Sequence, residues 1–188
     1  MKRKLYIYQE NINPEIAEIF SSFGDTITIE SIEENMITVL DSDYYNEEPI
    51  DIYSFQELIQ DDFGREVSIF IEPYVSEGFS LGLDLKEFLK EVPYGVYQFE
   101  DIITHVVLKD NKELKLKIID YIKNKSNQDV IHTVREFINN SMNSSYTAKK
   151  LYMHRNTLNY RVDNFIESTN INVKTFKGAN AVYMLFKY

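Results

Sequence analysis

Side chains able to read DNA are concentrated in one short stretch near the C-terminal end of the chain, residues 154–161. Arginine can bond both O6 and N7 of guanine, asparagine can bond N6 and N7 of adenine, and threonine can touch the methyl group of thymine. All three residue types occur in this stretch. The candidate contacts to bases and adjacent phosphates are His154, Arg155, Asn156, Thr157, Asn159, Tyr160 and Arg161.

Apolar residues in the same region predict a helix that presents these side chains. They recur at helical intervals and form one stripe, at Leu158, Val162, Phe165 and Ile166. With that stripe turned inward, Asn156 and Tyr160 point outward and Arg161 lies on a flank. The helix is expected to begin near Arg155, and His154 is expected in the preceding turn, where it caps the helix or meets a phosphate.

A shorter helix is predicted just before this one. Ser144 or Ser145 is expected to cap it, and the helix N-terminus there could add a phosphate contact. Ala148 is small enough to let the two helices approach closely. Lys149 and Lys150 suit DNA phosphates, which set the register of a bound protein but carry little sequence information. The pair therefore predicts a helix-turn-helix whose second helix enters a major groove about 12 Å wide.

Charge divides the chain into an acidic and a basic half. Residues 1–108 contain 6 Lys and Arg against 23 Asp and Glu, whereas residues 109–188 contain 14 against 7. The net charge of −10 is therefore the sum of a net charge of −17 on the first half and +7 on the second half. Since affinity for DNA comes largely from neutralising phosphates, the basic half is the part suited to double-stranded DNA.

Hydrophobic patterning in the acidic half predicts an α+β domain. Segments with the apolar pattern of strands take turns with segments that have the apolar spacing of helices. The predicted elements are strand 5–8, helix 13–24, strands 26–32 and 36–40, helix 52–63 and strand 67–71. Asn13 is a suitable cap for the first helix, with Pro14 at its first turn. The order β-α-β-β-α-β is that of ferredoxin-like domains, whose antiparallel sheet is covered on one face by both helices.

From Phe99 onward the spacing is helical throughout. Two helices, marked by apolar residues at 99–107 and 114–122, are predicted to connect the α+β domain to an all-α C-terminal domain. The polar stretch 124–129 is the candidate linker. The expected domains are thus 1–95, a helical connector at 96–125, and a helix-turn-helix domain at 126–188.

The run from His154 to Val162 resembles the hallmark of the C-terminal helix-turn-helix of PucR/CdaR-type bacterial transcription regulators. The resemblance extends upstream over 143–151 and downstream over 167–173 and 179–186. Val162 stands where leucine is usual, and Asn170 replaces a glycine after the recognition helix, where asparagine is the next best left-handed residue. The resemblance implies sequence-specific DNA binding and a degenerate GGDEF-like domain with the strand and helix order found above. It leaves open whether a small-molecule effector is bound.

Most such motifs act as symmetric dimers on paired half-sites, so a homodimer is expected. One alternative is a helix-turn-helix that binds a protein and modulates another regulator, because the acidic half could repel DNA. A second is a degenerate nucleotide-binding protein, which rests on the GGDEF-like outline alone.

Several chemistries find no support in the sequence. The chain has no cysteine, which excludes disulfides, thiolate zinc sites and a cysteine nucleophile. The hairpin tip, Glu33-Glu34-Asn35, lacks the glycines that an active diguanylate cyclase needs, and the three histidines show no metal-binding spacing. The acidic segment 41–51 is interpreted as a solvated loop. No catalytic residue, metal or cofactor is expected, and without an apolar run of roughly 20 residues the protein is expected in the cytoplasm, away from membranes.

Overall fold

The computed structural model describes residues 3–22, 26–42, 51–63, 66–72 and 83–187. Contacts divide the chain into two compact units, residues 1–98 and 99–188. Most of the acidic segment 41–51 lies outside the described residues. Among the helices that are described, none is long and apolar enough to cross a membrane.

The first unit contains the predicted α+β arrangement. Its elements are β1 (Arg3–Tyr8), α1 (Glu15–Ser22), β2 (Ile27–Ile32), β3 (Met36–Asp41), α2 (Ile52–Phe63), β4 (Ser68–Glu72), α3 (Leu83–Glu91) and β5 (Gly95–Tyr97). The sheet order is β2-β3-β1-β4-β5. The first four strands pair antiparallel, and β5 joins β4 in parallel. The predicted β-α-β-β-α-β order is therefore confirmed.

Buried apolar residues of the strands and of two helices form the hydrophobic core of this unit. Leu5 and Ile7 of β1 are fully buried, and they share a core with apolar side chains of α1 and α2. Phe20 of α1 and Phe55 of α2 stack with ring centroids 4.4 Å apart. Asn13 was expected to cap α1 with Pro14 as the first helical residue; the helix begins at Glu15 instead, and the Oδ1 of Asn13 accepts a hydrogen bond from the backbone N–H of Glu15 at 3.1 Å.

Two elements of the first unit, α3 and β5, were not predicted from the sequence. The three residues of β5 are too few to display an alternating pattern, and this strand depends on its pairing with β4, where Gly95 lies opposite Ser68. Phe88 of α3 packs edge-on against Tyr97 of β5 at 5.3 Å. Lys86 of the same helix forms an ion pair with Glu33 in the β2–β3 turn. Contacts distant in sequence therefore stabilise both elements.

The second unit is helical throughout its described residues. It contains α4 (Phe99–Leu108), α5 (Lys112–Lys125), α6 (Gln128–Asn139), α7 (Ser144–Lys150), α8 (Arg155–Thr169) and α9 (Phe176–Lys187). Helix α4 packs on α5 and α9, and α8 packs on α5, α6 and α7. The two helices expected as a connector, α4 and α5, thus belong to this unit.

The stretch 124–129, expected as a linker, is mostly helical. Helix α5 continues to Lys125, and α6 begins at Gln128. Between them, Ser126 caps the end of α5 and Asn127 caps the start of α6, accepting from the N–H of Val130 at 2.9 Å. Ser126 is buried, and its hydroxyl lies 3.0 Å from that of Ser168 in α8. Polar composition here reflects helix capping and a buried contact between side chains.

Candidate nucleic-acid interface

The N-cap of α7, the first helix of the motif, lies one residue before the first of its two predicted positions. Asn143 is the cap, since its Oδ1 accepts from the N–H of Tyr146 at 3.0 Å. The prediction of Ser144 or Ser145 as the cap was wrong, because both already lie inside the helix. Asparagine and serine are equally good caps, so composition could not choose between neighbours. Ala148, which was expected to let the two helices approach closely, is buried, and α7 packs against α8.

The turn after α7 has the hydrogen bonds of a Schellman motif. The N–H of Tyr152 donates to the carbonyl of Lys149 at 3.2 Å, and the N–H of Met153 donates to that of Ala148 at 3.0 Å. Tyr152 has a φ of 52°, in the left-handed region. The reversal leads the chain directly into α8.

The second helix of the motif, α8, begins at Arg155, as the sequence predicted. His154 caps it: Nδ1 accepts from the N–H of Asn156 at 3.2 Å. Leu158 and Val162 are buried on its inner face. The helix ends at Asn170, whose φ of 57° and bond to the carbonyl of Ile166 confirm the expected left-handed cap.

Most of the predicted contact side chains are exposed around the α7–α8 turn. The exposed ones are Ser145, Lys149, Lys150, His154, Arg155, Asn156, Thr157 and Tyr160. Ser144, Asn159 and Arg161 are half-buried. Neither α7 nor α8 has an acidic residue in its first turn, and α7 ends in two lysines. The helix N-terminus at Arg155 adds a partial positive charge to the same region, which favours an anionic partner.

Lys150 is exposed but already has an acidic partner. Its Nζ lies 2.8 Å from Glu136 Oε2 on α6. The hydrogen bond to Lys150 lowers the pKa of the Glu136 carboxyl below its ordinary value, and the same bond raises the pKa of Lys150. The pair links α6 to the end of α7 and offsets part of the positive charge beside the turn.

Arg161 also has a partner inside the unit. Its guanidinium donates from one terminal nitrogen to the hydroxyl of Thr133 at 3.0 Å. Thr133 is fully buried on α6 and in turn donates to the carbonyl of Asp129 at 2.7 Å. Arg161 therefore helps hold α8 against α6.

Two exposed tyrosines of the motif were not predicted from the sequence as candidate contacts. Tyr152, in the turn, is 98% exposed, and Tyr146, on α7, is 59% exposed. The only signal in the sequence was the presence of aromatic residues within an otherwise polar motif. No group of three or more acidic or histidine side chains within the described residues is arranged to hold a metal ion.

Comparison with known proteins identifies the C-terminal part of the helical unit. Residues 130–187 match the model of the PucR C-terminal helix-turn-helix domain. The uncharacterized protein YxkF of Bacillus subtilis is 45% identical over 60 residues, which are 32% of this chain and 20% of that protein. The proline-responsive transcriptional activator PutR of the same organism is 25% identical over 103 residues, which are 50% of this chain and 25% of PutR.

The chain spans about a quarter or less of the length of these curated relatives. A solved structure, the regulator of polyketide synthase expression from Bifidobacterium adolescentis, has a similar fold over 98% of this chain and 78% of its own, with a TM-score of 0.52 and 13% identity. Helices α7 and α8 lie at the centre of the matched segment. Residues 130–187 are a PucR C-terminal helix-turn-helix domain.

Proposed function

We propose that the protein is a sequence-specific DNA-binding transcription regulator of the PucR/CdaR type, with α8 as its recognition helix. The observation that carries the proposal is the exposure of Arg155, Asn156, Thr157 and Tyr160 at the start of the second helix of a PucR-type helix-turn-helix. The relative named a transcriptional activator, PutR, supports the same role.

In the proposed complex, the start of α8 enters the major groove. Arg155 and Asn156 bond to base edges, Thr157 touches a thymine methyl, and Tyr160 and Asn159 bond to bases or nearby phosphates. Lys149, His154 and the serines of α7 contact the DNA backbone. Lys150 contributes less than Lys149, because Glu136 already neutralises part of its charge.

The proposal includes a homodimer on a palindromic site. Helix-turn-helix dimers bind two half-sites about 34 Å, one turn of DNA, apart. It also assigns residues 1–98, as a degenerate GGDEF-like domain, a regulatory role, and residues 126–188 the DNA-binding role. The unit at 1–98 contains 6 Lys and Arg against 21 Asp and Glu, a balance unsuited to contacts with phosphates.

Selection from random oligonucleotides, using the full chain, tests this function. We expect an enriched palindrome, and an affinity for it that falls steeply as salt rises. Asn156→Ala should weaken binding by about 1–3 kcal/mol and relax the base preference at one position in each half-site. Asn164→Ala, an exposed change farther along α8, is the matched control.

One specific observation favours a second candidate, a helix-turn-helix that binds a protein. The acidic unit and the ion pair of Lys150 with Glu136 reduce the positive charge offered to DNA, and the bond to Thr133 occupies one donor group of Arg161. If no sequence is enriched while Asn156→Ala abolishes association with a protein partner, this candidate replaces the first.

A further inference from the structure

Tyr152 occupies a backbone position that disfavours its side chain. It is the first residue beyond the C-cap of α7, where the Schellman motif requires the left-handed conformation and glycine is the usual residue. For residues with a Cβ, the left-handed region is disfavoured by steric contact with the carbonyl oxygen, and for bulky side chains it is rare. A tyrosine here costs stability.

Other left-handed residues in the described chain show how such a cost is usually reduced. Asp110, Ser141 and Asn170, with φ between 52° and 57°, carry short polar side chains, and Met142 is half-buried. Short polar side chains tolerate this conformation best. Tyr152 has neither advantage, because its side chain is bulky and 98% exposed. Packing within its own unit therefore does not explain the residue.

The position of Tyr152 relates it to the proposed interface. It lies in the turn of the helix-turn-helix, three residues after Lys149 and three before Arg155, both exposed. Residues held in sparsely populated backbone conformations cluster at active sites, ligand clamps and switch regions. Tyrosine hydroxyls are among the groups that donate hydrogen bonds to DNA phosphates.

We propose that Tyr152 is a DNA-backbone contact whose phenolic hydroxyl donates a hydrogen bond to a phosphate oxygen beside the groove that α8 enters. The inference rests on the proposed function and adds a residue to it. A neutral donor displaces no counterion, so this contact contributes affinity without steepening the salt dependence. It is also indifferent to base sequence, since it reaches only the backbone.

Two variants of the full chain test the contact, with the selected palindrome as the probe. Tyr152→Phe removes only the hydroxyl, whereas Tyr152→Gly also relieves the strained backbone. Each should weaken binding about tenfold and leave the base preference and the salt slope unchanged. Tyr152→Gly should at the same time raise the unfolding midpoint by about 2–4 °C. A loss of affinity with a gain in stability is opposite to what a damaged fold would produce.

Two controls separate the contact from general effects. Tyr53→Phe removes the hydroxyl of an exposed tyrosine on α2 and should change neither affinity nor stability. Lys149→Ala should lower the salt slope by about one, as expected for the loss of one charged phosphate contact. The Tyr152 variants should differ from Lys149→Ala in that respect.

The possible failures are distinguishable. If the parent chain binds the palindrome and both Tyr152 variants bind equally well, the contact is wrong and the proposed function stands. If only Tyr152→Gly weakens binding, the hydroxyl is not the contacting group. A change in base preference would overturn the phosphate assignment in favour of a base contact. A parent chain that enriches no DNA sequence overturns the proposed function and this contact with it.

Discussion

Cations beside the α7–α8 turn differ in what they already bind. Lys149 and Arg155 are exposed, whereas Lys150 pairs with Glu136 and Arg161 donates to Thr133. A lysine that leaves an acidic partner to reach a phosphate loses one attraction as it gains another. The four residues should therefore contribute unequally to DNA affinity, although the sequence presents them as one basic group.

The first prediction concerns the pair of lysines and their acidic neighbour. Lys149→Ala should reduce DNA affinity and lower the salt slope by about one, and Lys150→Ala should have a smaller effect on both. Glu136→Gln should raise affinity, because it releases Lys150 from its carboxylate. Salt titrations of the three variants on the same palindrome measure the differences. Equal losses for both lysines would contradict the prediction.

Glu136 should also leave a signature in the pH dependence of stability. Its pKa is lowered in the folded chain by the hydrogen bond to Lys150. The ionised carboxylate therefore contributes stability above its unfolded pKa of about 4.3, and this contribution is lost as the pH falls through the lower folded pKa. Glu136→Gln should accordingly be less sensitive to acid than the parent over that range.

The second prediction concerns a buried carboxyl in the sheet. Tyr6 of β1 donates to Glu72 of β4 at 2.9 Å, and burial raises the pKa of both groups. A raised pKa means that the folded chain favours protonated Glu72. Its contribution to stability is thus present below about pH 4.3 and is lost as the pH rises through the folded pKa.

Glu72→Gln keeps an acceptor for Tyr6 and removes the charge. It should raise the free energy of unfolding by about 1 kcal/mol at pH 7, with a smaller gain near pH 4. Urea unfolding at the two pH values measures the effect, and the exposed Glu57→Gln on α2 serves as the control. A gain that is the same at both pH values would argue against burial as its cause.

At the scale of elements, α8 depends on α6 for its position as well as on its own apolar stripe. Leu158 and Val162 bury the inner face, and the bond from Arg161 to Thr133 adds a polar link at the edge. This link gives Arg161 a structural role besides the DNA contact that the sequence suggests. The two roles make different predictions.

The third prediction separates these roles with a pair of variants. Thr133→Val removes the acceptor and leaves Arg161 intact, so it should cost about 1 kcal/mol of stability with little change in base preference. Arg161→Ala should cost a similar amount of stability. If Arg161 also bonds a base, only Arg161→Ala will relax the preference at one position of the selected palindrome. If the two variants have the same base preference, Arg161 only positions α8 and does not contact a base.

At the scale of the whole molecule, charge and structure divide the chain at nearly the same point. The structural division falls between residues 98 and 99, and the second unit carries 14 Lys and Arg against 9 Asp and Glu. A net charge of −15 on the first unit and +5 on the second means that the whole chain is repelled by DNA at long range.

The fourth prediction is that residues 99–188 fold alone and bind the palindrome more tightly than the full chain does. The six helices of this unit share their own core, and removal of the acidic unit removes a repulsion. Circular dichroism and DNA titration at low and physiological salt measure folding and affinity, and the gain should shrink as salt screens charge.

A full chain with Glu15, Glu18, Glu57 and Asp61 changed to amides keeps both units and should show part of the gain. Weaker binding by the isolated unit would mean that residues 1–98 contribute to binding, for example by dimerisation.

Local pattern alone determined much of this protein. Strands β1 to β4, the helical stripes from Phe99 onward and the start of α8 near Arg155 all followed from the sequence. Each depends on residues a few positions apart, whose spacing decides which face they share. The helix-turn-helix was predictable for the same reason, because its parts are consecutive in the chain.

Tertiary structure alone decided which functional side chains have partners. The bonds of Lys150 to Glu136 and of Arg161 to Thr133 join different helices, so they depend on how α6, α7 and α8 pack. The same is true of β5, which exists through its pairing with β4. Packing also explains the glycine at position 178. A Cβ there would lie 2.6 Å from the carbonyl carbon of Asn172, so the close approach of the two backbones leaves no room for a side chain. Sequence spacing records which residues share an element, whereas contacts between elements arise only when those elements pack together.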